Sequence, residues 1–318
     1  MAVVRPAGAE QNPSPPLPFR ERGEGSGWRA ARTAYLARVA PWAEDRTARM
    51  SRGQKHPVYD FLFEYYSFRP AHLLRWTPGF GAFLEGATRG DVAWDEFVER
   101  DGGLLLPAEA FPAHRLSYLQ WATEYLNAVM TREPSFACFG LHEWAMVYRD
   151  PNVRHPYVPL RLSRAETDAA VDAQPLRCSH YDAFRFFTKE AAPLNRWELS
   201  RATTTEHDQP GCLHANMDLY KFAYKIIPFC PSDVVADAFD VARAARELDM
   251  RASPYDLRAY GFEPVPIETR AGRENYVEAQ RALSLRAQPV RERLRDVYAR
   301  LLAAQSNLPP SPLPEGRG

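Results

Sequence analysis

The feature that most constrains the fold is a helical hydrophobic period running from Trp28 to about Gln305, in which apolar residues return every three or four positions and Arg and Glu fill the gaps. Such a pattern buries one stripe per helix. The expected class is therefore mainly α, an irregular single-domain helical assembly with minor short strands. At 318 residues the chain can bury roughly three quarters of its unfolded surface without disulfide or metal staples. The helical domain is predicted over residues 28–305. The flanking segments 1–27, with NPSPPLPFRERGEGSG, and 306–318, with NLPPSPLPEGRG, are too poor in branched apolar residues to offset their ordering entropy and are expected to be disordered tails. Their similar low-complexity wording suggests read-through of repetitive DNA or a misplaced start codon.

Punctuation residues place the elements. A helix is predicted over Trp28 to Met50 with a kink at Pro41. HPVYDFLFEYYSFRP follows, with Pro57 suited to a first helical turn and Pro70 marking an end or bend. Gly79 to Leu106 mixes glycines with short apolar runs and gives no clear period. An amphipathic helix is expected over Phe111 to Arg132, and Pro134 is expected to open another through SFACFGLHEWAMVYR. Val158 to Leu162 has strand character. Ser163 and Glu166 form a capping box for the helix after it. After a loop over 196–209 comes the helical GCLHANMDLYKFAYKII. Pro231 and Ser232 start the next helix, and a long one covers Arg273 to Ala304, bent near Pro289.

Forty basic and forty acidic residues cancel, so the chain has no global field to gather polyanions from a distance. A secretion-type apolar core is missing at the N-terminus, and no apolar run approaches 18 residues, which argues against export and membrane insertion. Cys138, Cys178, Cys212 and Cys230 have no CxxC spacing and read as reduced thiols of a cytoplasmic protein. Dinucleotide, Walker, HExxH, GxSxG and EF-hand signatures are missing from the sequence.

Chemistry concentrates between Cys138 and Lys221. The first segment, CFGLHEWAMVY, places His142 and Glu143 in an apolar stretch, where a carboxylate must be paired or functional; Arg149 or Arg185 would be a structural partner. The second, CSHYDAFRFF, holds His180 and Asp182, which share a face only in extended backbone, while Ser179 or Asp182 would also serve as a plain helix cap. In the third, GCLHANMDLYK, His214 and Asp218 are i,i+4 neighbours on a helix, a spacing that suits one metal ion or one substrate group and equally an ordinary His–Asp pair; Lys221 lies close by. His56 and Asp60 repeat that spacing among aromatics with core character. SPYDLRAYG, with Asp256, looks like a capped short helix.

With HPVYDFLFEYYSFRPAHLLRW, CFGLHEWAMVYR, HYDAFRFF, QPGCLHANMDLYK and LDMRASPYDLRAYG in view, the chain resembles a bacterial family catalogued as 3-methyladenine DNA glycosylases, over nearly the whole span from Trp28 to Ala304. The resemblance implies a DNA-repair hydrolase with alkylated DNA as its partner. The phosphate-gripping hairpin of helix-hairpin-helix glycosylases has no counterpart here, since TPGFGAF at 77–83 keeps two glycines but not the flanking helix pattern. Excision of a cationic base needs aromatic rings around it and a carboxylate at the sugar. Trp144, Tyr148, Tyr181 and Tyr220 are candidate rings. Glu143 and Asp182, with His142, are candidate catalytic groups, and Arg185, Lys221 and Lys225 are candidate phosphate contacts.

Two alternatives use the same residues. In one, His142, His180 and His214 with Asp182 or Asp218 hold zinc, iron or manganese and act on a small molecule. In the other, the chain is a non-catalytic helical binding protein whose buried pairs only specify packing.

Overall fold

The computed structural model describes residues 27–153 and 155–306. They form eleven α-helices and one three-stranded sheet, so the fold is mainly α. The expected disorder of 1–26 and 307–318 concerns segments outside the described residues, whereas Gly27 and Ser306 belong to helices. The helix α1 (Gly27–Ser51) runs through Pro41 and is followed by the single turns α2 (Phe61–Glu64) and α3 (Pro70–Leu73). Pro70 takes the first position of α3, where its missing N–H costs nothing.

The stretch without a clear period forms the sheet. Strands β1 (Phe83–Glu85), β2 (Val98–Arg100) and β3 (Gly103–Leu105) pair antiparallel in the order β1-β3-β2. Asp101 and Gly102, both at positive φ, make the two-residue turn between β2 and β3, a strong hairpin signal. The expected strand at 158–162 reduces to one bridge between Leu160 and Tyr255.

The helix predicted from Phe111 is shorter than expected, α4 (Leu116–Met130). The long helix expected after Pro134 does not form: only α5 (Leu141–Ala145) does, because Phe139 and Gly140 lie in the left-handed region immediately before it and Arg149 does so after it. Then come α6 (Arg164–Asp172), closed by the Ser163–Glu166 capping box, and the short α7 (Tyr181–Phe184) and α8 (Thr204–His207). Neither Ser179 nor Asp182 caps α7; His180 occupies that position in extended backbone without a side-chain bond to it.

Three long helices build the centre: α9 (Leu213–Lys225), α10 (Ser232–Ala252) and α11 (Arg270–Ser306), which passes through Pro289. The most extensive packing is between α9 and α10, with α11 across both and α4 against α11. One continuous apolar core runs from Tyr35 on α1 to Leu301 on α11. No helix among the described residues is long and apolar enough to cross a membrane.

Candidate active site

Helix α10 buries a stripe from Val234 through Ala238, Val241, Ala245 and Leu248 to Ala252, yet Arg246 and Asp249 lie within the same buried region. Charged side chains placed there need partners. Helix α5 supplies them, because Gly140 allows close approach: a Cβ on it would lie 3.2 Å from the Ala252 methyl and from the Tyr276 ring. His142 Nε2 consequently sits 2.6 Å from Asp249 Oδ1, and Arg246 Nη1 bridges Asp249 Oδ2 at 2.7 Å and Glu143 Oε1 at 2.9 Å. The partner of Glu143 is thus Arg246 rather than Arg149 or Arg185, which lie elsewhere: Arg149 pairs with Asp172 and Arg185 with Asp182.

On its other side His142 Nδ1 is 3.4 Å from Cys138 Sγ. Burial disfavours the His142 imidazolium, but Asp249 and then Cys138 outweigh it and raise the pKa well above the ordinary range. Burial would likewise raise Asp249, but His142 and Arg246 hold it far below the usual carboxylate value. Glu143 goes the other way, pushed up by burial and by Asp249 against the pull of Arg246. A hydrogen bond from Cys178 and the neighbouring His142 hold the Cys138 thiol well below its usual value, despite burial. All four cysteines are free.

His214 of α9 comes next. Its ring meets His142 edge-on, with centroids 4.6 Å apart, and stacks on His180 at 5.3 Å. Burial and the adjoining His142 lower its pKa well below the ordinary value, so this imidazole is neutral. His180 begins a second group. Its Nε2 lies 3.4 Å from Asp218 Oδ2 and 3.6 Å from Asp208 Oδ2. Tyr66 donates to Asp218 at 3.0 Å, Tyr125 donates to Asp208 at 2.6 Å, and Lys221 also pairs with Asp218. The i,i+4 pair His214 and Asp218 therefore does converge, and the residue it converges on is His180. His56 and Asp60 do not form such a pair: Asp60 holds Arg46 and Arg49, while His56 Nδ1 accepts from the backbone of Val58 and Tyr59.

The metal set expected from the sequence, His142, His180, His214 and Asp218, is divided by this geometry. His142, His214 and Asp249 offer ligand atoms within 4.8 Å of one another, whereas His180 and Asp218 belong to the neighbouring group with Asp208 and Lys221. Asp249 lies on a helix that the sequence marked by its start at Pro231 and Ser232 and to which it assigned no site residue. Two charges spaced i,i+3 on its apolar stripe were the available signal.

Two cavities flank the centre. The first, of about 300 Å³, is lined by Phe61, Tyr65 and Phe186 together with Glu143, Asp182, His214 and Arg246. The second, of about 390 Å³, has His180, Tyr181, Asp182, Asp218 and Lys221 along its wall, with Arg201 and Lys225. Asp182 reaches both. It is half-buried, 3.1 Å from Arg185 and 3.7 Å from Lys221.

The aromatic candidates fare differently. Tyr181 lines the second cavity. Trp144 and Tyr220 are wholly enclosed in the core, and Trp144 Nε1 donates to the Ala252 carbonyl, so neither offers a face to a substrate. Tyr148 is buried too, its hydroxyl on Asp172. They are apolar bulk that fills the helix interfaces. The rings that face the first cavity, Phe61, Tyr65 and Phe186, sit in segments whose aromatics read as core in one dimension. Arg185 is exposed and lies 4.1 Å over the Phe186 ring.

Fold and site together define a mainly α protein with a buried histidine–carboxylate centre opening on an aromatic cavity. No family model, curated protein or solved structure matches the chain.

Proposed function

We propose that the chain is a hydrolase that takes a planar, nitrogen-containing ring into the first cavity and breaks the bond joining that ring to its carrier. Release of an alkylated adenine from DNA is the form of the reaction that the sequence resemblance implies. The observation that carries the reading is the cavity wall, where three aromatic rings face two carboxylates, two imidazoles and a guanidinium within a volume fit for one small ring system.

A cationic alkylated base gains about 0.5–2 kcal/mol from each electron-rich ring it lies against. Asp182 belongs to both cavities, so a ring in the first would place its sugar beside this carboxylate. There Asp182 accepts a proton from water as the water oxygen bonds to the anomeric carbon. The bond from that carbon to the ring nitrogen breaks, its electron pair neutralising the departing cation. Glu143 and Arg246 hold the ring edge by hydrogen bonds.

A free small molecule is favoured over duplex DNA by the exact balance of forty basic and forty acidic residues, and by the engagement of exposed Arg185 with Asp182 and Phe186. Alkylated DNA and a free alkylated nucleoside are therefore assayed in parallel for released base by chromatography. Base release is expected to fall by about 10²- to 10⁴-fold in Asp182→Asn. Absence of free base from both substrates rejects the hydrolase reading, and unchanged release in Asp182→Asn rejects the role of that carboxylate.

A further inference from the structure

We infer that His142 Nε2, a ring nitrogen of His214 and Asp249 Oδ1 form a binding site for one divalent transition-metal ion, with an open position toward the first cavity. The three residues come from three helices, α5, α9 and α10, and each offers one ligand atom within 4.8 Å of those of the other two. Helices so far apart in sequence converge on one point only where the tertiary packing holds them there.

The observation that points to a ligand is His214. It is only 9% exposed, it faces the cavity, and neither of its ring nitrogens has a hydrogen-bond partner among the described residues. A neutral imidazole that reaches a cavity with no protein partner keeps a lone pair for whatever enters there. A metal ion would take that lone pair as a coordinate bond.

The surroundings have the form of an outer shell. Cys138 Sγ engages His142 Nδ1 and thereby directs Nε2 inward, as the partners of metal-bound histidines do. Arg246 takes Asp249 Oδ2, which fixes the carboxylate and leaves Oδ1 for the ion. Glu143 neutralises Arg246, so a dication meets no uncompensated positive charge. The 2.6 Å contact between His142 Nε2 and Asp249 Oδ1 is a hydrogen bond with one proton between the two atoms. Metal binding replaces that proton and releases it to solvent, and the two atoms part to roughly 3.3 Å, the edge of a tetrahedron with bonds of about 2.0–2.1 Å.

Two imidazoles and one carboxylate select zinc, ferrous iron or manganese over magnesium or calcium. This inference stands apart from the reaction proposed above, because it is read by metal binding and not by turnover. Full-length chain made without a polyhistidine tag is stripped with chelator, then titrated anaerobically with Zn²⁺ and Fe²⁺ by calorimetry and with Co²⁺ by visible absorption. One ion per chain is expected, with d–d bands of low-coordinate Co²⁺. His214→Ala should weaken binding by about 100-fold or more while the apo protein keeps its circular dichroism. Asp249→Asn serves as the second ligand variant. Failure of the wild-type chain to bind any of the three ions stoichiometrically overturns the site, and so does undiminished binding by a folded His214→Ala.

Discussion

His142 Nε2 and Asp249 Oδ1, which are 107 positions apart in the chain, stand 2.6 Å from each other with both residues buried. Around this contact Arg246 holds two carboxylates at once: its Nη1 is 2.9 Å from Glu143 and 2.7 Å from Asp249. The contact is as much a structural clamp between α5 and α10 as a chemical centre.

Removing the clamp has a defined cost. Arg246→Met leaves Glu143 and Asp249 buried without their shared cation, and the expected loss is about 3–5 kcal/mol in urea unfolding. Adding Glu143→Gln to that variant should recover part of the loss. A double variant no more stable than Arg246→Met would show that Glu143 is not the stranded charge.

Trp144 tests the distinction between a core ring and a substrate platform. Trp144→Phe keeps an aromatic ring but strips the donor from the Ala252 carbonyl, so unfolding should become easier by about 1–3 kcal/mol. Because the indole faces no cavity, KM for any turned-over substrate should stay within a factor of about two, since no binding contact is lost. A large KM change with unaltered stability would contradict this placement.

Gly140 sets the position of α5. At φ +76°, with the Ala252 methyl and the Tyr276 ring crowding the place a Cβ would take, Gly140→Ala should lose about 2–4 kcal/mol through backbone strain and overpacking. Thermal unfolding reads the loss directly. An unchanged melting temperature would mean that α5 is free to shift away from α10.

The pH dependence of stability has an identifiable contributor outside the candidate site. Burial, and then the charge of Arg49, push His56 down to about 4. The unfolded chain, with an ordinary histidine near 6.5, binds a proton that the folded chain refuses. Stability therefore falls as pH drops from about 6.5 to about 4 and this contribution levels off below. His56→Asn should flatten that slope while keeping an acceptor for the backbone of Val58 and Tyr59. Titration of the His56 imidazole by NMR near its ordinary value would refute the assignment.

Much of the helical frame was legible because a period of 3.6 is a local property. The stripes on α4, α9 and α10 and the Ser163–Glu166 cap are each written within a few turns. The hairpin at Asp101-Gly102 was equally local but lay in a stretch with no apolar period around it. His142, Glu143, His180, His214 and Asp218 were legible as ionisable groups in apolar segments, since burying a charge without reason is costly anywhere.

What the sequence could determine by itself was which side chains are expensive to enclose and which turns are helical. Only the packing of α5, α9 and α10 decided that Asp249 and Arg246 complete the His142 group, that His180 belongs with Asp208 and Asp218, and that Trp144 and Tyr220 face the core while Phe61 and Phe186 face a cavity. The physical reason is one of range. Helical periodicity and capping are fixed by neighbours three or four residues away, whereas pairing of buried charges is fixed by whichever helix lies across the core, at a separation in the chain that no local pattern records.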